Sequence, residues 1–149
     1  MAELVRELLI DATPETIFPL LTTAEGHVRW EGTEAEIDAR PGGIYRVLVA
    51  GAYEGRGEFV EVVPNEKVVF TFGWDMPDNP ITPGSTTVEI TLVAEGDKTR
   101  LRLTHTGLPD EDAVAMHIHG WDHYLARLGT VAGGGDAGAD TGPSGPDGS

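Results

Sequence analysis

Histidines and aromatic rings are the side chains of this sequence best placed to do chemistry. His105 falls in phase with Leu101 and Leu103, opposite Arg100, Arg102 and Thr104. That phase turns its imidazole inward, where it can serve as acid, base or hydrogen-bond partner, or sit as a satisfied core histidine. Acid–base work would need a carboxylate beside it, and Glu58 or Glu61 is the candidate. His119 and His123 are spaced for one face of a helix, a spacing that metal sites use. Zinc would need a third ligand, however, and the pair lies opposite the apolar stripe, so no metal is expected. His117 borders that stripe beside Tyr124 and is expected at the rim of any cavity.

Several familiar chemistries are missing. The chain has no cysteine, which removes disulfides and thiolate catalysis. Gly55-Arg56-Gly57 and Gly133-Gly134-Gly135 lack the strand–loop–helix setting of a phosphate cradle. No nucleophile elbow is present. No catalytic residue and no cofactor are therefore assigned.

The elements that must position these groups follow from periodicity. Glu3–Ile10 reads as a strand. Thr13-Pro14-Glu15 reads as a helix start, with a capping hydroxyl, a proline at the first position and an acid at the positive end. Pro19 keeps that helix short, and a second short helix is expected over Ala24–Trp30. From Thr33 the period becomes two. Strands are expected after Thr33, after the Pro41-Gly42-Gly43 turn, and over Glu54–Val63, Lys67–Trp74, Thr86–Ala94 and Lys98–Thr106. Pro77, Pro80 and Pro83 make Asp75–Gly84 a loop. Pro109-Asp110-Glu111-Asp112 opens a long last helix, whose Val114, Ile118, Trp121, Leu125 and Leu128 form one apolar stripe.

The fold class is thus α+β, a curved antiparallel sheet of about seven strands around a C-terminal helix. Residues 1–131 form one domain. Residues 132–149, rich in Gly, Pro and Asp without large apolar side chains, are expected to be a disordered, dispensable tail.

The charge excludes some partners. Ten basic against 25 acidic residues give a net charge of −15. Phosphate backbones and anionic lipid surfaces need clustered Lys and Arg, so neither nucleic acid nor membrane is an expected partner. No signal peptide or membrane-spanning stretch is legible, and a cytoplasmic monomer or weak homodimer is expected.

In order along the chain, Ile10-Asp11-Ala12-Thr13-Pro14, Pro41-Gly42-Gly43-Ile44-Tyr45-Arg46 and Gly57-Glu58-Phe59-Val60-Glu61-Val62 precede Val69-Phe70-Thr71-Phe72-Gly73-Trp74. Thr104-His105-Thr106-Gly107-Leu108-Pro109 and Gly120-Trp121-Asp122-His123-Tyr124-Leu125 follow. With these stretches, the chain resembles the START-like (SRPBCC, helix-grip) superfamily, and within it the bacterial stand-alone homologues of the activator of heat-shock-protein-90 ATPase. The resemblance implies the helix-grip fold, with a ligand cavity between sheet and last helix. It implies Trp30, Tyr45, Phe70, Phe72, Trp74, His105, His117, Trp121 and Tyr124 as cavity-lining residues, with Trp30 near the mouth. Members that stimulate the chaperone carry a further N-terminal domain, for which this length leaves no room. An apolar small molecule is the expected ligand. A cyclase- or hydrolase-like enzyme using His105 with a cavity carboxylate, or a co-chaperone-like interaction domain using the sheet's outer face or the Pro-rich loop, is the alternative.

Overall fold

A computed structural model describes residues 2–142. The elements run β1 Ala2–Ile10, α1 Pro14–Thr22, α2 Ala24–His27, β2 Glu34–Ile37, β3 Ile44–Val49, β4 Tyr53–Val63, β5 Lys67–Trp74, β6 Thr86–Glu95, β7 Lys98–Leu108 and α3 Glu111–Ala132. The strands form one antiparallel sheet in the order β1-β7-β6-β5-β4-β3-β2. Only β1 leaves sequence order, pairing with β7 through Leu8 opposite Leu101. This is the expected α+β helix-grip architecture.

Local chemistry accounts for the helix ends. Thr13 Oγ1 accepts from Thr16 N at 3.3 Å, and Pro14 takes the first helical position. Asp110 Oδ1 accepts from Ala113 N at 2.8 Å, with Glu111 and Asp112 at the positive end of α3. Pro19 is accommodated inside α1, which still stops at Thr22.

The sheet curves because β4 is irregular. Its register against β5 shifts between Phe59 and Glu61, and such a bulge bends the strand that carries it. Side chains at alternate positions then line the concave face: Tyr45 and Val47 on β3, Phe70 and Phe72 on β5, Val88 and Ile90 on β6, Leu101, Leu103 and His105 on β7, all buried. Against them α3 lays Ala113, His117, Trp121, Tyr124, Leu125, Leu128 and Val131. Its buried face is thus rotated from the expected stripe. Val114 and Ile118 are only partly buried, while His117 and Tyr124 take central places. Gly120 does not ease the helix toward the sheet, since a Cβ there would meet nothing within 4 Å.

The segment after α3 departs from the expectation of a disordered tail. Among residues 133–142, Asp140 is buried and accepts from Gly32 N at 2.7 Å, Ala50 N at 3.0 Å and Tyr124 Oη at 2.8 Å. Arg127 donates to Trp30 O at 2.7 Å and to Ala137 O at 2.8 Å, tying the same segment to α3. The rest of the expected tail, residues 143–149, lies outside the described residues. No helix among the described residues is long and apolar enough to cross a membrane.

Candidate functional site: an aromatic groove above a buried carboxyl

Two adjoining voids lie beside the middle of α3. The larger, a groove of about 490 Å³, is bounded by Val49 and Tyr53 at the β3–β4 hairpin, by Met76 to Pro80 of the Pro-rich loop, and by Met116, His117 and Tyr124 of α3. Next to it a gap of about 50 Å³ is lined by Glu31, Phe72, Gly120 and Trp121. Trp74, His117 and Tyr124 line both voids, so the gap adjoins the groove.

Loop and hairpin are held over this place by backbone. Trp74 N donates to Ile81 O at 2.7 Å and Asp75 N to Glu54 O at 2.8 Å, so the loop starting after β5 folds back along the sheet. Gly73 makes that possible, because a side chain there would collide with the Thr82 carbonyl. At the rim, Tyr53 and Met116 remain 51% and 60% exposed, unusual for large apolar side chains with a groove between them.

The histidines around the gap are committed to internal hydrogen bonds. The Thr86 hydroxyl donates to Phe72 O at 2.7 Å, so His105 Nε2–H is the donor in its 2.8 Å contact with Thr86 Oγ1. Nδ1 of the same ring accepts from Trp121 Nε1 at 3.1 Å. Burial, with the neighbouring His117 ring adding to it, pushes His105 down to about 3. It is a neutral, saturated core histidine. His117 Nε2 accepts from Trp74 Nε1 at 3.2 Å, and Nδ1–H donates to Ala113 O at 2.7 Å. Burial lowers this ring too.

Neither carboxylate that could have come near His105 does so. Glu58 and Glu61 are exposed, and Glu61 pairs with Lys67 at 3.0 Å. Both sit on the solvent face of β4. The acid that reaches the gap is Glu31, between α2 and β2, only 7% exposed. Its Oε1 lies 3.4 Å from His27 Nε2 without a hydrogen bond. His27 Nδ1–H donates to Glu31 O at 3.1 Å, and Tyr45 Oη is 3.2 Å from His27 Nε2.

Burial first, and the Asp140 charge second, push the Glu31 carboxyl up to about 8, against a smaller opposing effect of the Tyr45 hydroxyl. Burial pushes His27 down to about 4. The His27–Glu31 contact is therefore neutral at pH 7, not an ion pair. For Asp140, burial alone would raise the carboxyl. The hydrogen bonds it accepts from Ala50, Gly142, Tyr124 and Gly32 outweigh burial and hold it low. Two carboxyls of opposite state thus flank Tyr124.

These shifts give stability a defined pH profile. Between about 4.5 and 6.5 the unfolded chain takes up protons on His27, His105, His117 and His123 more readily than the folded protein does. Over that range the folded protein alone keeps one on Glu31. The histidines outweigh the single carboxyl, so stability rises with pH. Between about 6.5 and 8 only Glu31 differs, and stability falls as pH rises. Urea midpoints measured from pH 5 to 9 are expected to peak at about 6–7. Glu31→Gln should abolish the alkaline decline, and a wild-type midpoint flat from 6.5 to 8.5 would contradict this assignment.

The other expected cavity residues divide. Phe72, Trp74, His117, Trp121 and Tyr124 line a void. Trp30 is not near the mouth: it is 1% exposed, donates to Leu20 O at 2.7 Å and packs on His27 at 4.6 Å. Tyr45 stacks on Phe70 at 4.0 Å in the core beneath the gap. Among the described residues no group of three metal-binding side chains converges.

With this geometry in view, the comparisons are specific. A family model described as activator of Hsp90 ATPase homolog 1-like protein (AHSA1) matches residues 11–133. The chain belongs to the AHSA1 family. An AHSA1-like protein of Rhizobium etli, solved by NMR, is 47% identical, covering 93% of this chain and 86% of that one with a TM-score of 0.74. The Aha1 dimer of Colwellia psychrerythraea superposes with a TM-score of 0.77 at 22% identity, covering 91% of this chain and all of the other. DynU16, from the dynemicin biosynthetic locus, reaches 0.79 at 17% identity, covering 93% of this chain and 50% of its own. Those two likenesses establish the AHSA1 chain's fold alone. No curated protein sequence matches it significantly.

Proposed function

We propose that this AHSA1-family protein binds an apolar small molecule in the groove along α3. The observation that carries the reading is the meeting of groove and gap at Trp74, His117 and Tyr124. A concave site of a few hundred Å³, walled by rings and with few polar groups, is the usual form of a small-molecule pocket. The indole of Trp74 and the ring of Tyr124 offer large contact area at little entropic cost. A fold neighbour from the dynemicin biosynthetic locus is in keeping with a small-molecule ligand. Acid–base catalysis by His105 is disfavoured, because both ring nitrogens are already paired and the ring resists protonation.

Titration with the neutral fluorophore N-phenyl-1-naphthylamine tests the reading. Saturable binding near one molecule per chain is expected. Trp74→Ala should weaken it by about tenfold or more, the equivalent of losing much of one aromatic wall. The same variant should lose less stability than Trp121→Ala, since Trp74 is only partly buried at the edge of the core, although it too strips a donor from a buried histidine, His117 Nε2. If neither this probe nor a panel of similar apolar compounds saturates, the groove is not a binding site.

A further inference from the structure

Four polar side chains accompany Glu31 around the gap and its histidine floor, and each is spent. Trp74 Nε1–H goes to His117, Trp121 Nε1–H to His105, His117 Nδ1–H to Ala113 O and the Tyr124 hydroxyl to Asp140. What remains is Glu31 Oε1, the one buried side-chain oxygen or nitrogen among the described residues with no hydrogen-bond partner. We propose that Glu31 is the polar contact for the bound molecule, its carboxyl donating a hydrogen bond to an acceptor oxygen, such as a ketone, at one end of an otherwise apolar body. This rests on the groove being the binding site and adds the chemical class of what enters it.

The surroundings select a donor rather than an ionised acid. Glu31 is faced by His27 from α2, Tyr45 from β3, His117 and Tyr124 from α3, and Asp140 from the segment after α3. None of these supplies a positive charge at pH 7, because burial lowers both histidines. A buried carboxyl without a cation keeps its proton, and Glu31 is accordingly raised to about 8. The gap of about 50 Å³ is large enough to admit a carbonyl oxygen. Negative head groups are opposed by Asp140, whose own carboxyl stays ionised. The apolar body remains in the groove above.

The matched pair 2-acetylnaphthalene and 2-ethylnaphthalene, alike in size but for the carbonyl, decides the matter by calorimetric titration. At pH 6.5 the ketone is expected to bind about tenfold tighter, the effect of one well-placed buried hydrogen bond. That advantage should shrink at pH 9, where Glu31 loses its proton. Glu31→Gln keeps a donor and should keep the preference, now without pH dependence. Glu31→Leu should abolish it, and if that variant does not fold, Glu31→Gln and the pH profile still decide. Equal binding of ketone and hydrocarbon in wild type would overturn the assignment of Glu31 while leaving the groove intact, a water alone filling the gap. If neither compound binds, the groove reading fails as well.

Discussion

Trp121→Ala is expected to destabilise the fold by about 3 kcal/mol, the lower end of the roughly 3–5 kcal/mol range for deleting a large buried aromatic. The lower end applies because the indole, only 6% exposed, already borders the gap and loses fewer contacts than a ring packed on every side. A polar loss adds to the cavity. Trp121 Nε1–H pairs His105 Nδ1, and the alanine variant strands that nitrogen in the core while Nε2 stays bound to Thr86. Trp121→Phe retains much of the volume and loses only the donor, so about 1–2 kcal/mol is expected. Urea unfolding followed by circular dichroism measures both. A loss below about 1 kcal/mol for the alanine variant would show that α3 does not depend on this anchor. The enlarged gap should also change naphthylamine binding.

The second large effect concerns Asp140→Ala. One carboxylate there joins three parts of the chain: the turn at Gly32, the β3–β4 hairpin at Ala50, and α3 through Tyr124. Alanine leaves those donors without their acceptor in a buried place, and about 2–4 kcal/mol should be lost. For a chain of this length that lowers the melting temperature by roughly 5–15 °C. Asp140→Asn keeps an acceptor oxygen and should lose less. Ending the chain after Val131 should cost at least as much as Asp140→Ala, because it also removes the carbonyls of Ala137 and Gly138 that Arg127 holds. Both changes delete the charge that helps raise Glu31 and should move its titration toward lower pH. A truncated chain melting within about 2 °C of wild type would restore the dispensable tail that composition suggests.

The fate of that tail shows where local reading ends. Gly, Ala and Asp after α3 carry no apolar anchor, and composition registers only that. Asp140 is held instead by donors distant in sequence, at Gly32 and Ala50, which no local pattern records. Glu31 was hidden for a related reason. It follows a short helix, on no strand whose alternation would give it a side, so its burial depends on how α3 and the last segment close over it.

What the sequence determined by itself is whatever a period or a turn encodes. Alternation placed the strands and, on β7, assigned the inward turn of His105. Pro41-Gly42-Gly43 marked a reversal, and Asp110 with Glu111 and Asp112 marked the start of α3. The tertiary structure alone decided which of the inward residues meet. It tied both nitrogens of His105 to Thr86 and Trp121, which removes it as an acid or base. It placed Trp30 in the core, set Glu58 and Glu61 outside, and left Glu31 Oε1 without a hydrogen-bond partner at the gap. The physical reason is that a strand's period fixes only the side to which a residue points. Distance, desolvation and hydrogen-bond pairing are set by the elements that pack from elsewhere in the chain.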